Sequence, residues 1–272
     1  MYRLLIAWLA CSLLAWAPAV QAAREFVVGV LPYQGARTLI AEHHALAAHL
    51  RVALKRPVRI VTARNTVVFG QRMLAGDYDL ALAPAHLARL AQIEHRWQPV
   101  ARYAPDTPVY LLATTSRPGT PLARGAVVAV PDRAMLITLA AETWLAEHRH
   151  LNIGDYTLLE TGGHSASVQA VLDGRADFAV GALAGMPFVR KDNIERVRIV
   201  HEIGTVPLLV FSARGDLPAA TLASLQRALL KYAVRAPLRI LAANHRTLAG
   251  MDRYLQRTRR LLAEREGDPH AN

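Results

Sequence analysis

The sequence has 272 residues, 53% of them hydrophobic, and a formal net charge of +11 in which Lys55, Lys191 and Lys231 are the only lysines. Such a balance suits nucleic acid, an anionic surface or a small anionic solute. No basic stripe interleaved with aromatics is present, so nucleic acid is not expected, and arginines scattered over the surface account for most of the charge.

The opening MYRLLIAWLACSLLAWAPAVQA carries one arginine, an apolar run and a small-residue exit with Val20 and Ala22 at the positions a signal peptidase reads. It reads as a secretory signal cleaved after Ala22, which places the protein in the periplasm. The apolar run between Arg3 and Pro18 is shorter than the ~20 residues a spanning helix needs. Lipoprotein processing at Cys11 is a weaker alternative, because Trp8, Leu9 and Ala10 precede it. Cys11 is the only cysteine, so the remaining 250 residues (272 minus 22) hold no disulfide, thiolate metal site or cysteine nucleophile.

After the leader, short β-branched runs alternate with helix-patterned segments, the signature of βαβ units and parallel pairing. Residues 26–31 read as a buried strand, 36–54 as an amphipathic helix, 58–62 as a strand, 67–76 as a helix ending at glycine and 79–83 as a strand. The pattern then recurs: strand 126–130, helix 135–150, strand 156–160, helix 165–174, strand 177–181. The segments 109–115 and 206–214 read as crossings between two lobes, and a helical tail runs from Pro218 past Pro237 to about Glu266. The expected organisation is lobe 1 at 23–112 plus 206–272 and lobe 2 at 113–205. Two such lobes set the loops at the carboxyl ends of their strands face to face, where open α/β sheets bind ligands, and a hinge lets the cleft close.

The stretch LETGGHSASVQAVLDGRADFAV, 159–180, leads from a strand into a helix. The first amides of a helix have no intrahelical partner and sit at the positive end of its dipole, so an anion fits there. Gly162 and Gly163 permit close backbone approach, while His164, Ser165 and Ser167 add side-chain donors. The alternative is structural: Ser165 simply caps the helix. Asp79 and Asp177, in the matching turns GDYD and GRAD, read as the ends of loops that enter buried strands.

The run TGGHSASVQAVLDGRAD, 161–177, resembles the motif S-G-S-H-x-A-S-V-x-A-V-x-x-G-x-A-D of the phosphonate/phosphate-type periplasmic solute-binding proteins of ABC importers. LPY at 31–33, AGDYDLA at 75–81 and VPLLVFSARGDLP at 206–218 agree in order, so the resemblance covers nearly the whole chain after the leader. It implies a two-lobed α/β protein of the type II periplasmic-binding fold, each lobe a mostly parallel sheet flanked by helices. His164 and Ser167 then correspond to the family's ligand-site histidine and serine, and Tyr33 to the aromatic at the cleft mouth.

The departures are as informative. Where the family carries Asp-Pro-x-Ser-x-Ser-Gly, this chain reads VPDRAMLITLA at 130–140: Arg133, Ala134, Met135 and Leu136 replace the hydroxyl cluster, and Thr138 comes one helical turn late. The acidic or amide side chain usual after the 177–181 strand is replaced by Gly181-Ala182, and His86 stands where a tyrosine is often found. Arg133 supplies a fork suited to carboxylate or phosphate, or is a solvated first-turn arginine; His86 contacts ligand or caps a helix. The expected ligand set is therefore Tyr33, His86, Arg133, Gly163, His164, Ser165 and Ser167.

Histidines 43, 44 and 49 and histidines 148 and 150 do not share the three-or-four spacing of helix-borne ligands, so no metal or cofactor is expected. There is no G-x-S-x-G elbow beside Ser167 and no glycine-rich nucleotide loop. The expected function is a monomeric, non-enzymatic solute-binding protein that delivers a small phosphonate- or phosphate-like anion to an ABC permease. Sensing on behalf of a membrane receptor or kinase, and an enzyme on the same fold, are the alternatives.

Overall fold

The computed structural model describes residues 24–264, apart from 118 and 120. The proposed signal, its cleavage position and Cys11 lie outside the described residues. Among those residues no helix is long and apolar enough to cross a membrane.

The first part of the chain runs β1 (Phe26–Val30), α1 (Ala36–Glu42), α2 (His44–Leu54), β2 (Val58–Val61), α3 (Thr66–Leu74), β3 (Leu80–Pro84), α4 (Ala85–His95) and β4 (Gln98–Ala104). The middle part is β5 (Thr107–Thr114), β6 (Val127–Val130), α5 (Leu136–Arg149), β7 (Thr157–Glu160), α6 (His164–Leu172), β8 (Phe178–Ala182), a 3₁₀ turn at Leu183–Phe188, α7 (Lys191–Ile194) and β9 (Val197–Val206). The last part is β10 (Leu209–Ala213), α8 (Ala219–Lys231), β11 (Arg239–Ala242), a 3₁₀ turn at Ala249–Tyr254 and α9 (Leu255–Ala263).

Two sheets result. The six-stranded sheet has the order β11-β4-β10-β3-β1-β2 and the five-stranded sheet the order β7-β6-β8-β5-β9. Each is built on a parallel trio, β2-β1-β3 or β7-β6-β8, and extended by antiparallel strands. Strands flanked by helices on both faces carry continuous apolar sequence: β3 (LALAP) and β8 (FAVGA) are buried along their whole length. On one face of the larger sheet Leu39, Leu46, Leu50, Leu225 and Leu229 pack against Phe26, Val28 and Phe211.

The repeat read in the sequence has a physical basis in two equivalent turns. Gly76 and Gly174, at φ +82° and +75°, end α3 and α6 in the left-handed region that glycine enters without penalty. Three residues later Asp79 Oδ2 accepts from Val27 N–H at 2.9 Å, and Asp177 Oδ2 accepts from Val127 N–H at 2.8 Å. Each aspartate therefore ties the entry of one strand to its parallel neighbour, a structural role and not a ligand contact.

Three expectations need correction. The 36–54 helix is two helices with His43 between them, its Nδ1 3.0 Å from Leu39 O. The helical tail is broken beyond α8: Pro237 cannot continue a helix, and β11 pairs with β4 at the sheet edge. The 206–214 segment divides, with Val206 ending β9 and Leu209 opening β10. All of β5 pairs within the five-stranded sheet, and the chain passes from one sheet to the other at 105–106 and 207–208.

Candidate functional site

Carboxyl ends of parallel strands from both sheets meet around a cavity of about 270 Å³. Leu31, Leu82, Pro84 and Leu209 line it from the larger sheet, and Met135, Leu136, Ile137 and Phe188 from the smaller one. Its polar members are Tyr33, His43, Tyr103, Thr107 and His164, and no Asp, Glu, Lys or Arg side chain is among the lining residues. Tyr33 and Phe188 face one another from opposite lobes, ring centroids 6.0 Å apart.

Three helices begin at this wall. Pro84 is the N-cap of α4, Leu136 and Ile137 open α5, and His164 opens α6. In α6 the first ladder bond runs from Ser167 N–H to Gly163 O, 3.0 Å, which leaves the amides of residues 164, 165 and 166 outside the ladder. In α5 Thr138 N–H and Leu139 N–H both donate to Met135 O, leaving the amides of Leu136 and Ile137 in the same position. The partial positive charge of these helix ends is the electrostatic resource of an otherwise uncharged wall.

A second, adjoining cavity of about 220 Å³ is more polar. Arg64, Asn65, Asp132, Glu160, Gly162 and Gly163 line it, and Tyr33 and Met135 are shared with the first.

The structure separates the seven expected ligand residues. Tyr33, Gly163 and His164 line one or both cavities. Gly163, with an extended φ of 169°, is the N-cap of α6, so Ser165 is not the cap; its side chain lines neither cavity. Ser167 is fully buried, its Oγ 2.7 Å from Thr161 Oγ1 and donating to Gly163 O at 3.2 Å. It stitches the turn that presents His164.

His86 and Arg133 lie away from the lining, and each has a protein partner instead. His86 is fully buried and its Nε2–H donates to Ala134 O at 3.0 Å, tying α4 of one lobe to the loop before α5 of the other. Burial pushes its pKa down to about 4, so it is neutral at neutral pH. Arg133 pairs with Glu264 at 2.7 Å and Glu160 at 3.7 Å, and its backbone N–H donates to Glu160 Oε1. Its guanidinium thus has carboxylate partners within the protein.

Among the described residues, His164 is the one polar side chain at a helix start that lines the apolar cavity. Burial lowers its pKa to about 4, and its Nδ1 is buried with no hydrogen-bond partner among the described residues. The ring lies flat against the 3₁₀ turn, where a Cβ on Gly185 would sit 2.6 Å from Cε1 and Nδ1. A neutral imidazole offers one donor and one acceptor.

Sequence reasoning had no signal for Phe188, Leu209, His43 or Gly185. For the Met135–Ile137 wall there was one, the loss of the hydroxyl cluster. Ala182 also lines the cavity, so the missing acidic or amide group there leaves an apolar surface.

Further contacts cross between the lobes. Thr66 N–H, at the start of α3, donates to Asp132 Oδ2 at 2.9 Å. Arg257 of α9 forks onto Glu142 of α5 at 3.1 and 3.0 Å, and Arg253 pairs with Glu147. The segment carrying these arginines is itself fixed to α3 and α4, through Gln71 Nε2–H to Leu262 O and the pairs Arg89–Asp252 and Arg259–Glu94.

The model of the family described as ABC transporter, phosphonate, periplasmic substrate-binding protein matches residues 28–255. A search of curated protein sequences returned no match. Among solved structures, the binding protein component of an ABC phosphonate transporter from Pseudomonas aeruginosa superposes with a TM-score of 0.73 at 14% identity, covering 89% of this chain and 90% of that one. PhnD1 of Prochlorococcus marinus, in complex with methylphosphonate, superposes at 0.70 with 14% identity over 87% and 98% of the two chains. A Xanthomonas citri protein bound to ATP gives 0.66 at 15% identity over 88% and 100%. The two sheets, the cleft between them and the match over most of the sequence agree: the chain belongs to the periplasmic substrate-binding proteins of ABC phosphonate transporters, a family of solute-binding proteins and not of enzymes.

Proposed function

We propose that this protein works in the periplasm, captures a small solute through an anionic head in the interlobe cavity, and passes it as a monomer to an ABC permease. The bodies that close on the solute are residues 24–106 plus 207–264 and residues 107–206. His164 and the amides that open α6 receive the head, with Tyr33 and Gly163 beside it. His86, Arg133 and Ser167 keep the lobes and the α6 turn in place.

One observation carries this reading: α4, α5 and α6 all begin at the wall of a single interlobe cavity, and unpaired amides at helix starts favour negative charge. The test uses the chain from Ala23, refolded to strip bound ligand, in a thermal-shift screen with phosphate, phosphite, methylphosphonate and butylphosphonate. A ligand at about 100 times its Kd adds roughly 2.7 kcal/mol of stability, a clear rise in Tm. His164→Ala weakens the best ligand strongly. If none of these anions shifts Tm, the reading fails; if one does and His164→Ala binds it unchanged, His164 is not a contact.

A further inference from the structure

We infer that the solute is an amphiphile, a single small oxyanion head on an apolar body, and not inorganic phosphate or a polyanion. This rests on the proposed cavity being the ligand site. It goes further by reading the chemistry of the ligand from the wall opposite the head.

The argument begins with charge. A multiply charged anion that leaves water needs cations or a dense set of hydrogen bonds. Among the described residues no charged side chain lines the larger cavity, Arg64 lines the adjoining one together with the carboxylates Asp132 and Glu160, and the chain's departure at 133–136 places Met135 and Leu136 where hydroxyls would stand. Arg133, the residue that would have compensated, is held by Glu160 and Glu264. What remains is the ends of helices, each equivalent to about half a charge, and the neutral ring of His164. That suffices for one small head and little more.

The rest of the wall is hydrocarbon. Leu31, Leu82 and Leu209 stand on one side and Met135, Leu136 and Ile137 on the other. The first two of each group are at least nine-tenths buried. Phe188 closes the mouth against Tyr33. A ligand without an apolar part would leave these surfaces in contact with trapped water, whereas an alkyl or aryl body removes them from it. The small residues Ala182, Ala184 and Gly185 on the same wall offer no side-chain acceptor for a second ligand hydroxyl. The affinity of this cavity therefore grows with apolar area.

The experiment measures Kd by titration calorimetry of the stripped chain from Ala23 with inorganic phosphate and with methyl-, ethyl-, propyl- and butylphosphonate. A buried methylene is worth ~0.8 kcal/mol, so binding should tighten about fourfold per added carbon, with phosphate weakest. Phe188, 43% exposed, can be removed without opening the core. Phe188→Ala should lower the butyl-to-methyl affinity ratio several-fold, as expected for a residue that touches the body. Equal affinity along the series, or phosphate binding tightest, overturns the inference and leaves the proposed site standing. A slope that Phe188→Ala does not change overturns the placement of the body at this wall. Binding by none of the five overturns both.

Discussion

Replacing Gly185 with alanine perturbs the site through one contact whose size is fixed by the structure. The added Cβ would lie 2.6 Å from Cε1 and Nδ1 of His164 and 2.7 Å from Cγ. Non-bonded heavy atoms settle at about 3.5–4.0 Å, so the ring must withdraw by roughly 1 Å. Gly185 is not among the glycines at positive φ, so the backbone accepts alanine and the effect falls on the imidazole. Overpacking of this kind costs about 1–3 kcal/mol of stability. Loss of one neutral hydrogen bond, worth about 0.5–1.5 kcal/mol, weakens ligand binding about 2- to 13-fold. Calorimetry on the wild type, Gly185→Ala, His164→Ala and the double variant forms a thermodynamic cycle. Gly185→Ala should cost affinity in the wild type and nothing further in the His164→Ala background. Additive losses would refute the claim that Gly185 acts by placing the His164 ring.

Acid should unfold the protein in a defined window. Burial holds His86 and His164 near 4 when folded against about 6.5 unfolded, so between these values the unfolded chain binds more protons and stability falls as pH drops. Urea midpoints at several pH values between 7 and 4 should show the fall, and His86→Gln should make it shallower. Arg257→Met leaves Glu142, 6% exposed, without its forked partner. The expected loss is about 2 kcal/mol by chemical denaturation, below the 3–5 of a fully buried pair because Arg257 keeps some solvent. The radius of gyration in solution scattering should rise as well, since the pair joins the two lobes. Arg133→Ala should cost under about 1 kcal/mol and leave ligand affinity within twofold by calorimetry, whereas a tenfold loss would return Arg133 to the ligand site.

The parts of this molecule that local sequence encodes were readable. The 161–177 run carries a glycine turn, a helix and a second glycine turn within 17 residues, and the structure places Gly163 and His164 from it at the cavity walls. Asp79 and Asp177 were readable for the same reason, because each turn repeats Gly-x-x-Asp next to its strand. The partners of His86 and Arg133, the Ala134 carbonyl and the Glu264 carboxylate, were not readable, because they are remote in sequence and only the docking of the lobes delivers them. Strand β11 is a four-residue edge element after a proline whose partner β4 lies more than a hundred residues earlier, so no short-range pattern marks it. The hydrocarbon character of the cavity was half visible. Loss of hydroxyls at 133–136 showed what the site had given up, but Phe188 and Leu209 come from segments that meet only in the fold.

A crystal structure of the chain from Ala23 with butylphosphonate tests the central claim most directly. The account predicts the phosphonate oxygens within hydrogen-bond distance of the first α6 amides and the His164 ring, with the alkyl chain against Leu136, Leu209 and Phe188. A phosphonate held by Arg133 or bound outside the interlobe cavity would contradict it.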